Sequence, residues 1–306
     1  MRKLKEVVSV SLGSSRRDHE VEVELLGEKF KIKRIGTDGD FKKSIELLKQ
    51  LDGKVASFGL GGIDIYLYAS GGKRYKIRDA KKLVKAAGNT DVVDGSGLKN
   101  TLEREVVKKL QANPDFDFNG KKVLMVSAVD RFGMAEALHE AGAELIFGDL
   151  VFGLNIPIAI RKMTTFKIIA RIALPIVTKM PFKILYPTGS EQEKAPKEKY
   201  KKYYHEADII AGDFLFIRKY LPEDLTGKII LTNTVTTADI EDLQKRGVKF
   251  LITTTPEMSG RSFGTNVMEA TLIALLNKRP DMITSQDYLD LLDKLDFQPR
   301  IEALNI

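Results

Sequence analysis

KKVLMVSAVDRFGMAEAL, residues 121–138, is the stretch that decides the fold of this chain. Two lysines precede an apolar run, a short turn follows, and a helix rich in small residues begins directly after it. A buried strand that passes through a tight turn into a helix is typical of parallel α/β sheets. Gly133 and Ala135 are small enough for that helix to pack closely on the strand. The stretch therefore predicts the first strand–turn–helix unit of a parallel sheet.

Strands and helices alternate through the rest of the chain. Further short apolar strands are predicted in AELIFGD, DIIAGDF, IILTNT and VKFLITTTP, with ADIEDLQKRG as a helix between the last two. Such alternation favours a doubly wound parallel sheet in an α/β fold. We therefore predict a Rossmann-like domain over residues 114–306, closed by C-terminal helices in SFGTNVMEATLIALLN and SQDYLDLLDKLDFQPR.

The first third of the chain has a strand and helix pattern of its own. Apolar alternation predicts strands in VVSVSLGSS, EVEVELLGEKFKIKRIG and VASFGLGG, and a hairpin that turns at Gly71 and Gly72. Helical spacing follows in DFKKSIELLKQLDGK, DAKKLVKAAGN and LKNTLEREVVKKLQAN. The turn-rich NPDFDFNG then breaks the pattern. We predict an N-terminal α/β domain over residues 1–113, with its final helix as the connector.

Composition excludes several kinds of chemistry. The 306 residues contain no cysteine, so disulfides, thiolate catalysis and cysteine-ligated metals are ruled out. The 3 histidines, His19, His139 and His205, do not have the close spacing of metal ligands, and we predict no metal site. A chain of this length fits two domains.

The charge pattern bears on partners and location. The net charge of +7 favours anionic partners in general, but the basic residues are interleaved with acids, as in KEKYKKYYHEAD. A solvated surface explains this mixture better than a nucleic-acid interface, so no nucleic-acid partner is predicted. The N-terminal MRKLKEVVSV has no sustained apolar run or small-residue cleavage site. We therefore expect a cytoplasmic protein.

The turn at 128–133 has the outline of a dinucleotide-binding turn. Such turns carry the pattern G-x-G-x-x-G, because the phosphates approach the backbone closely. With Gly133 as the third glycine, Ala128 and Asp130 stand in place of the first two. A carboxylate about 4 Å from a phosphate is repelled by roughly 4 kcal/mol at an effective dielectric near 20. Arg131 would offset this either by pairing with Asp130 or by reaching the phosphates itself.

We predict that the nucleotide contacts the turn and the end of the next strand. The contact residues in the turn are Ala128, Arg131, Phe132 and Gly133. Asp149 follows the second strand about 20 residues after Ala128, where a ribose-binding carboxylate belongs.

Three further motifs come in the order found in the shikimate/quinate 5-dehydrogenase family. VDGSGLK supplies Asp94 in an Asp-Gly-x-Gly segment before the connecting helix, and GTNVMEA places Glu269 where that family's last helix has glutamine. Ser9 and Ser11 match a Ser-x-Ser pair at the end of the first strand. The chain resembles this family over nearly its whole length, and more closely the bacterial proteins commonly labelled quinate 5-dehydrogenase.

The resemblance implies an NAD-linked oxidoreductase acting on a hydroxylated carboxylic acid, with the N-terminal domain holding the substrate. It implies that Asp94 is catalytic and that Ser9, Ser11 and Glu269 bind substrate. The family's lysine segment, Asn-Val-Thr-x-Pro-x-Lys, has no counterpart here; Lys76 and Lys81 are the nearest lysines, and we assign the catalytic role to Lys81. NAD is the implied cofactor, because Asp149 would repel the 2′-phosphate of NADP.

The residues themselves support part of this chemistry and leave alternatives open. Since cysteine is absent and histidine scarce, a Lys–Asp pair is the available acid/base set. DGSG is equally a tight turn with a helix cap, and FGLGGID (58–64) is either a substrate-side loop or a site of close backbone packing. Arg261 and Asn266 follow a predicted parallel strand, where ligands of open α/β sheets lie, and are predicted to touch substrate or nicotinamide.

Residues 151–190 contain basic but no acidic residues among many apolar ones. Three interpretations remain open: a pair of core-packing helices, a lid over an anionic substrate, and an interfacial helix on anionic lipid. For the whole protein the leading hypothesis is the NAD-linked oxidoreductase. The alternatives are a non-catalytic nucleotide- or metabolite-binding protein on a dehydrogenase scaffold and a reductase of acyl or lipid-like substrates. A small anionic metabolite is the expected partner, and weak membrane contact through 151–190 and a homodimer are kept as alternatives.

Overall fold

A computed structural model describes residues 4–181, 200–255, 257–258, 261–262 and 264–305. Two mostly parallel sheets, one in each half of the chain, are surrounded by helices. This arrangement confirms the predicted α/β class.

The sheet of the first half has the strand order β2-β3-β1-β4-β7, and only β2 runs antiparallel to its neighbour. β1 lies at its centre and is buried along most of its length, whereas the edge strand β2 alternates half-buried and exposed residues. β5 and β6 form the predicted separate hairpin. The elements of this half are β1 (Lys5–Ser11), β2 (His19–Leu25), β3 (Glu28–Gly36), α1 (Phe41–Leu51), β4 (Ser57–Gly61), β5 (Tyr66–Tyr68), β6 (Arg74–Lys76), α2 (Ala80–Ala86), β7 (Val92–Val93) and α3 (Ser96–Gln111).

The sheet of the second half has the strand order β9-β8-β10-β11-β12-β15, with only β15 antiparallel. The chain leaves β8 for β9 on one side and later enters β10 on the other, which makes the β8/β10 boundary the topological switch point. The elements of this half are β8 (Lys122–Met125), α4 (Phe132–Glu140), β9 (Glu144–Phe147), α5 (Met163–Val177), α6 (Lys201–Glu206), β10 (Ile209–Ala211), α7 (Phe214–Arg218), β11 (Ile229–Thr232), α8 (Thr237–Lys245), β12 (Phe250–Thr253), β13 (Glu257–Met258), β14 (Arg261–Ser262), α9 (Thr265–Leu276), α10 (Ser285–Lys294) and β15 (Arg300–Ala303).

Helix α9 interlocks the two halves, because it packs on β1 and β4 of the first sheet. Glycines make this close approach possible. A Cβ at Gly59 would lie 2.7 Å from the backbone oxygen of Asn266, and one at Gly95, where φ is +90°, would lie 2.6 Å from the Asn266 nitrogen. The Ser57 hydroxyl also donates to the Ala270 carbonyl at 2.7 Å. The glycines of FGLGG and DGSG therefore serve close backbone packing.

The described part of residues 151–190 contains one long helix, α5, after a single π-helical turn at Asp149–Gly153. The Phe166 ring of α5 stacks on the Phe147 ring at 4.2 Å and on the Phe132 ring at 5.5 Å. This stack fixes α5 beside the turn that follows β8. One side of α5 thus packs on the core, and its other side stays open to the remaining interpretations; residues 182–190 lie outside the described residues.

We expect Gly59→Ala to destabilise the protein by about 1–3 kcal/mol, because its methyl group would push against the backbone of α9. Thermal unfolding should show a fall in Tm of several degrees. Gly153→Ala is the matched control, since a Cβ there meets nothing within 4 Å. Equal Tm values for the two variants would contradict the proposed close packing.

Candidate functional site

A cluster of buried charged side chains lies at the switch point of the second sheet. Asp130 and Arg131 follow β8, and Asp213 follows β10. Lys99 and Glu103 reach the cluster from α3, one helical turn apart. The loop after β4 in the first half adds its own carboxylate, Asp64. The cluster therefore joins the carboxyl ends of strands from both sheets. Its members are Asp64, Lys99, Glu103, Asp130, Arg131 and Asp213, and we call it the charge cluster.

Lys99 connects the two halves within the charge cluster. Its Nζ lies 2.6 Å from Oδ1 of Asp130 and 3.4 Å from Oδ1 of Asp64. Burial alone would lower the pKa of Lys99, but the two carboxylates outweigh it and hold the pKa above its usual value. Burial likewise opposes ionisation of Asp130, yet Lys99 and then Arg131 hold the pKa of that carboxyl below its usual value. Lys99 is thus a cation at neutral pH, a donor and not a base.

Arg131 points into the protein. Its guanidinium pairs with Glu103, lies 3.2 Å from Oδ2 of Asp213 and has its Nε 3.8 Å from Oδ2 of Asp130. Asp213 in turn accepts a hydrogen bond of 2.7 Å from the side-chain amide of Asn233. Of the two alternatives for Arg131, the structure has it paired with carboxylates and not extended toward a ligand.

Glu103 is the carboxyl group of the charge cluster whose burial is least offset by the neighbouring cations. Burial raises its pKa to about 7, although Arg131 and Lys99 act in the opposite direction. Its Oε2 makes no hydrogen bond within the described part of the chain.

The solvent-accessible part of the charge cluster is acidic. The side chains of Asp64, Asp130 and Asp213 are 15%, 19% and 22% exposed. Those of Lys99 and Arg131 are only 9% and 1% exposed. The cations are more deeply buried than the carboxylates, so the solvent-facing side of the charge cluster presents hydrogen-bond acceptors.

Asp149 is bound to the turn after β8. Its carboxylate accepts hydrogen bonds from the backbone N–H of Ala128 at 3.2 Å and of Val129 at 2.9 Å. Burial raises the pKa of Asp149 to about 6, despite these amides. Asp149 thus fastens the turn to the end of β9, and its predicted ribose contact stays a prediction.

Two other residues predicted to contact a nucleotide have packing roles. A Cβ on Gly133 would lie 2.8 Å from the backbone oxygen of Asn100, so its small size lets α4 approach α3. The sequence predicted that the small size of Gly133 lets α4 pack on the strand. This prediction is wrong about the partner, because the atoms nearest to a Cβ at Gly133 belong to Asn100 of α3. Phe132 is buried in the ring stack with Phe166.

Asp94 and Glu269 lie at the junction of the halves, fully engaged by hydrogen bonds. Asp94 accepts from the backbone N–H groups of Ile65, Tyr66 and Ser96 and from the Ser96 hydroxyl. Glu269 accepts from the N–H groups of Gly95 and Leu98 and from the Tyr288 hydroxyl. These bonds hold the loop after β4, the start of α3 and α9 together.

The predicted substrate residues Ser9 and Asn266 contact each other, since the Asn266 amide donates to the Ser9 hydroxyl oxygen at 2.8 Å. The hydroxyl oxygen of Ser11 accepts from the Arg34 guanidinium at 2.9 Å and from the Gly13 N–H at 3.1 Å. Both serines are buried. The structure therefore brings Ser9 and Asn266 together across the two halves.

The lysine assignment is not supported by position. Lys81 is exposed on α2, whereas the lysine at the switch point is Lys99. The sequence does contain a sign that Lys99 is buried. Lys99 and Glu103 lie on the same side of the long helix α3 as the buried Leu102 and Val106. Arg261 lies in β14, and its side chain is outside the described residues.

Neither metal binding nor membrane crossing is indicated by the described parts of the chain. There, no group of three or more His, Asp and Glu side chains is arranged to hold a metal ion. No helix in the described ranges is both long and apolar enough to cross a membrane.

The fold and the charge cluster define an α/β protein whose two parallel sheets direct their carboxyl ends at one polar junction. Residues 97–304 match the family described as Domain of unknown function (DUF8754), and the chain belongs to that family. Residues 6–94 match a second domain of unknown function, DUF8753. No curated protein matches the chain.

Several solved structures are similar over most of the chain. A substrate-binding protein of a sugar ABC transport system from Bordetella parapertussis is 13% identical, with 88% of this chain and 78% of that chain covered and a TM-score of 0.38. An arabinose binding protein from Geobacillus stearothermophilus is 9% identical, with 98% and 97% covered and a TM-score of 0.45. L-tryptophan dehydrogenase from Nostoc punctiforme is 12% identical, with 96% and 80% covered and a TM-score of 0.37.

Because the pKa of Glu269 is raised, we expect the stability of the folded protein to depend on pH. Burial, then the neighbouring Asp94, raises its pKa from 4.5 to about 7, so the folded protein binds a proton that the unfolded chain has released. Stability should therefore decrease as pH rises from about 4.5 to 7, by up to about 3 kcal/mol for this group. Urea unfolding at several pH values should show a shallower dependence for Glu269→Gln than for wild type.

Glu46→Gln, an exposed change on α1, is the matched control. Glu103 and Asp149 also have raised pKa values, so part of the pH dependence should remain in Glu269→Gln. A wild-type stability that rises between pH 4.5 and 7 would contradict this assignment.

Proposed function

We propose that the protein binds a small hydroxyl-rich metabolite, without chemistry, where the carboxyl ends of the two sheets meet. Asp64, Asp130 and Asp213 would accept hydrogen bonds from its hydroxyl groups. The observation that carries the proposal is the order of charges, with the three aspartates partly exposed and both cations more deeply buried. We place this binding in the cytoplasm.

Hydroxyl groups suit these acceptors. An ionised carboxylate offers about four lone-pair sites and no proton. Asp130 uses its oxygens toward Lys99 and Arg131, which hold it ionised without filling every site. Ligands of open α/β sheets bind at this edge, beside the switch point. The position and the chemistry therefore agree.

A pyrophosphate suits the same place less well. The charge cluster holds two cations against four carboxyl groups, and a fifth carboxyl group, that of Asp149, is bound to the turn beside it. Each exposed carboxylate about 4 Å from a phosphate opposes binding by roughly 4 kcal/mol. For this reason we rank metabolite binding ahead of the NAD-linked oxidoreductase. The same repulsion disfavours the small anionic metabolite that the sequence led us to expect.

Thermal-shift titration with neutral monosaccharides, inositols, quinate, shikimate, NAD(H) and NADP(H) tests the proposal. A hydroxylated compound at about 100 times its Kd should add roughly 2.7 kcal/mol of stability. Asp213→Asn removes the charge of one exposed acceptor and should weaken that binding about tenfold or more, because charged hydrogen bonds are worth about 1.5–3 kcal/mol.

Asp293→Asn, an exposed change on α10, is the matched control and should leave binding unchanged. Stabilisation by dinucleotides alone, with no hydroxylated compound active, would count against the proposal. So would equal affinity of wild type and Asp213→Asn for the compound that binds.

We propose an NAD-linked dehydrogenase of the shikimate/quinate type as the second candidate. The position of Lys99 favours it, because a protonated lysine beside Asp64 lies at the junction next to the turn after β8. In the direction of carbonyl reduction, NADH would supply the hydride and Lys99 would give its proton to the carbonyl oxygen. Asp64 would orient the ammonium group.

If this second candidate is correct, Lys99→Met should lower the NADH-dependent reduction of the keto forms of quinate or shikimate by about 100-fold or more. Lys81→Met should retain wild-type turnover, since Lys81 is exposed on α2. Circular dichroism of Lys99→Met, and the milder Lys99→Arg variant, separate lost chemistry from lost folding. Absence of turnover by wild type across a panel of hydroxylated acids would remove this candidate.

A further inference from the structure

The surface formed by residues 154–176 exposes an unusual amount of apolar side chain. Large exposed apolar residues in the described parts of the chain concentrate here. They are Leu154, Ile156, Ile158, Ile168, Ile172 and Ile176. We call this surface the isoleucine face.

Helix α5 supplies the centre of the isoleucine face. Ile168, Ile172 and Ile176 are spaced by four residues, so they form one stripe along the helix. They are 61%, 66% and 66% exposed. The opposite side of α5 is buried through Phe166 and Leu174. The helix is therefore apolar on both sides although only one side is packed on the protein.

The charged residues of the segment that carries the stripe are all basic. Residues 151–181 contain no acidic residue. Arg171 is exposed on α5 among the isoleucines, and Lys179 is exposed two residues after the helix ends. Lys167 lies nearer the protein, with its Nζ 2.8 Å from Oε1 of Glu136. The isoleucine face is consequently apolar in the middle and basic around it.

We propose that the isoleucine face docks on the surface of an anionic lipid bilayer. An amphipathic helix with apolar residues flanked by Lys and Arg lies in the plane of the lipid headgroups and is attracted by their negative charge. A second copy of the chain is a poorer occupant, because two such faces would oppose Arg171 and Lys179 with the same charges. The stacked Phe166 and Phe132 rings connect the docked helix to the turn beside the charge cluster.

Sedimentation of the full-length protein with lipid vesicles tests this proposal. The protein should sediment with vesicles of phosphatidylcholine mixed with phosphatidylglycerol, and not with phosphatidylcholine alone. Binding should weaken between about 0.1 M and about 1 M salt, as the Debye length falls from about 10 Å to about 3 Å. The variant Arg171→Gln/Lys179→Gln should bind about 25-fold more weakly, since two interfacial charges are lost.

The triple variant Ile168→Ser/Ile172→Ser/Ile176→Ser should lose vesicle binding by more than tenfold. Its matched control replaces three exposed apolar residues elsewhere, as Leu215→Ser/Met282→Ser/Ile301→Ser, and should bind like wild type. Thermal unfolding of both variants verifies that the fold is retained.

Two results of the sedimentation experiment would overturn the proposal. One is that wild type does not sediment with phosphatidylglycerol vesicles at low salt. The other is that the triple isoleucine-to-serine variant binds as well as wild type. Light scattering supplies a third. A wild-type dimer that the isoleucine variant converts to monomer would identify the face as an interface between copies.

Discussion

The pairing of the Lys99 ammonium with two carboxylates is the interaction on which the junction of the two halves depends. An ammonium group taken out of water costs several kcal/mol unless opposite charges surround it. Asp130 comes from the second half and Asp64 from the first, so α3 buries its lysine only when both loops are in place. Loss of Asp130 would remove the nearest partner of the buried ammonium, and breaking a buried ion pair in this way typically costs about 3–5 kcal/mol. The ion pairs therefore fix the positions of the two loops relative to α3.

A second constraint acts on the backbone around the same junction. Helix α9 belongs to the second half in sequence but to the core of the first sheet in space. It reaches that position only because Gly59 and Gly95 leave room for the backbone at Asn266. Glu269 on α9 then accepts the N–H groups of Gly95 and Leu98 at the start of α3. Packing and hydrogen bonding thus hold β4, the start of α3 and α9 together. The ion pair between Lys99 on α3 and Asp64 after β4 adds to the same junction.

These constraints explain which features the sequence could predict. Periodicity is local, so the strands around Gly27, the hairpin at Gly71 and Gly72, and the alternation from β8 onward are confirmed. The role of Lys99 could not be predicted, since its partners lie 35 and 31 residues away in sequence and come together only in the fold. Conversely, the glycines beside Asp94 suggested a ligand, whereas they make room for α9. A residue type and its neighbours are visible in one sequence; its distant partner is not.

The turn after β8 shows why shape alone does not identify a ligand. Its form is maintained by contacts within the protein. The Asp149 carboxylate accepts hydrogen bonds from the N–H groups of Ala128 and Val129. The small size of Gly133 lets α4 pack closely on α3, and the Phe132 ring stacks on the Phe166 ring of α5. None of these contacts needs a nucleotide, so a chain could keep the turn while its ligand changed. What a ligand meets is instead set by charge, and here a carboxylate stands at the position of the second glycine, held ionised by the lysine behind it. That substitution turns a site of backbone donors into one of acceptors, and acceptors favour hydroxyl groups over phosphates.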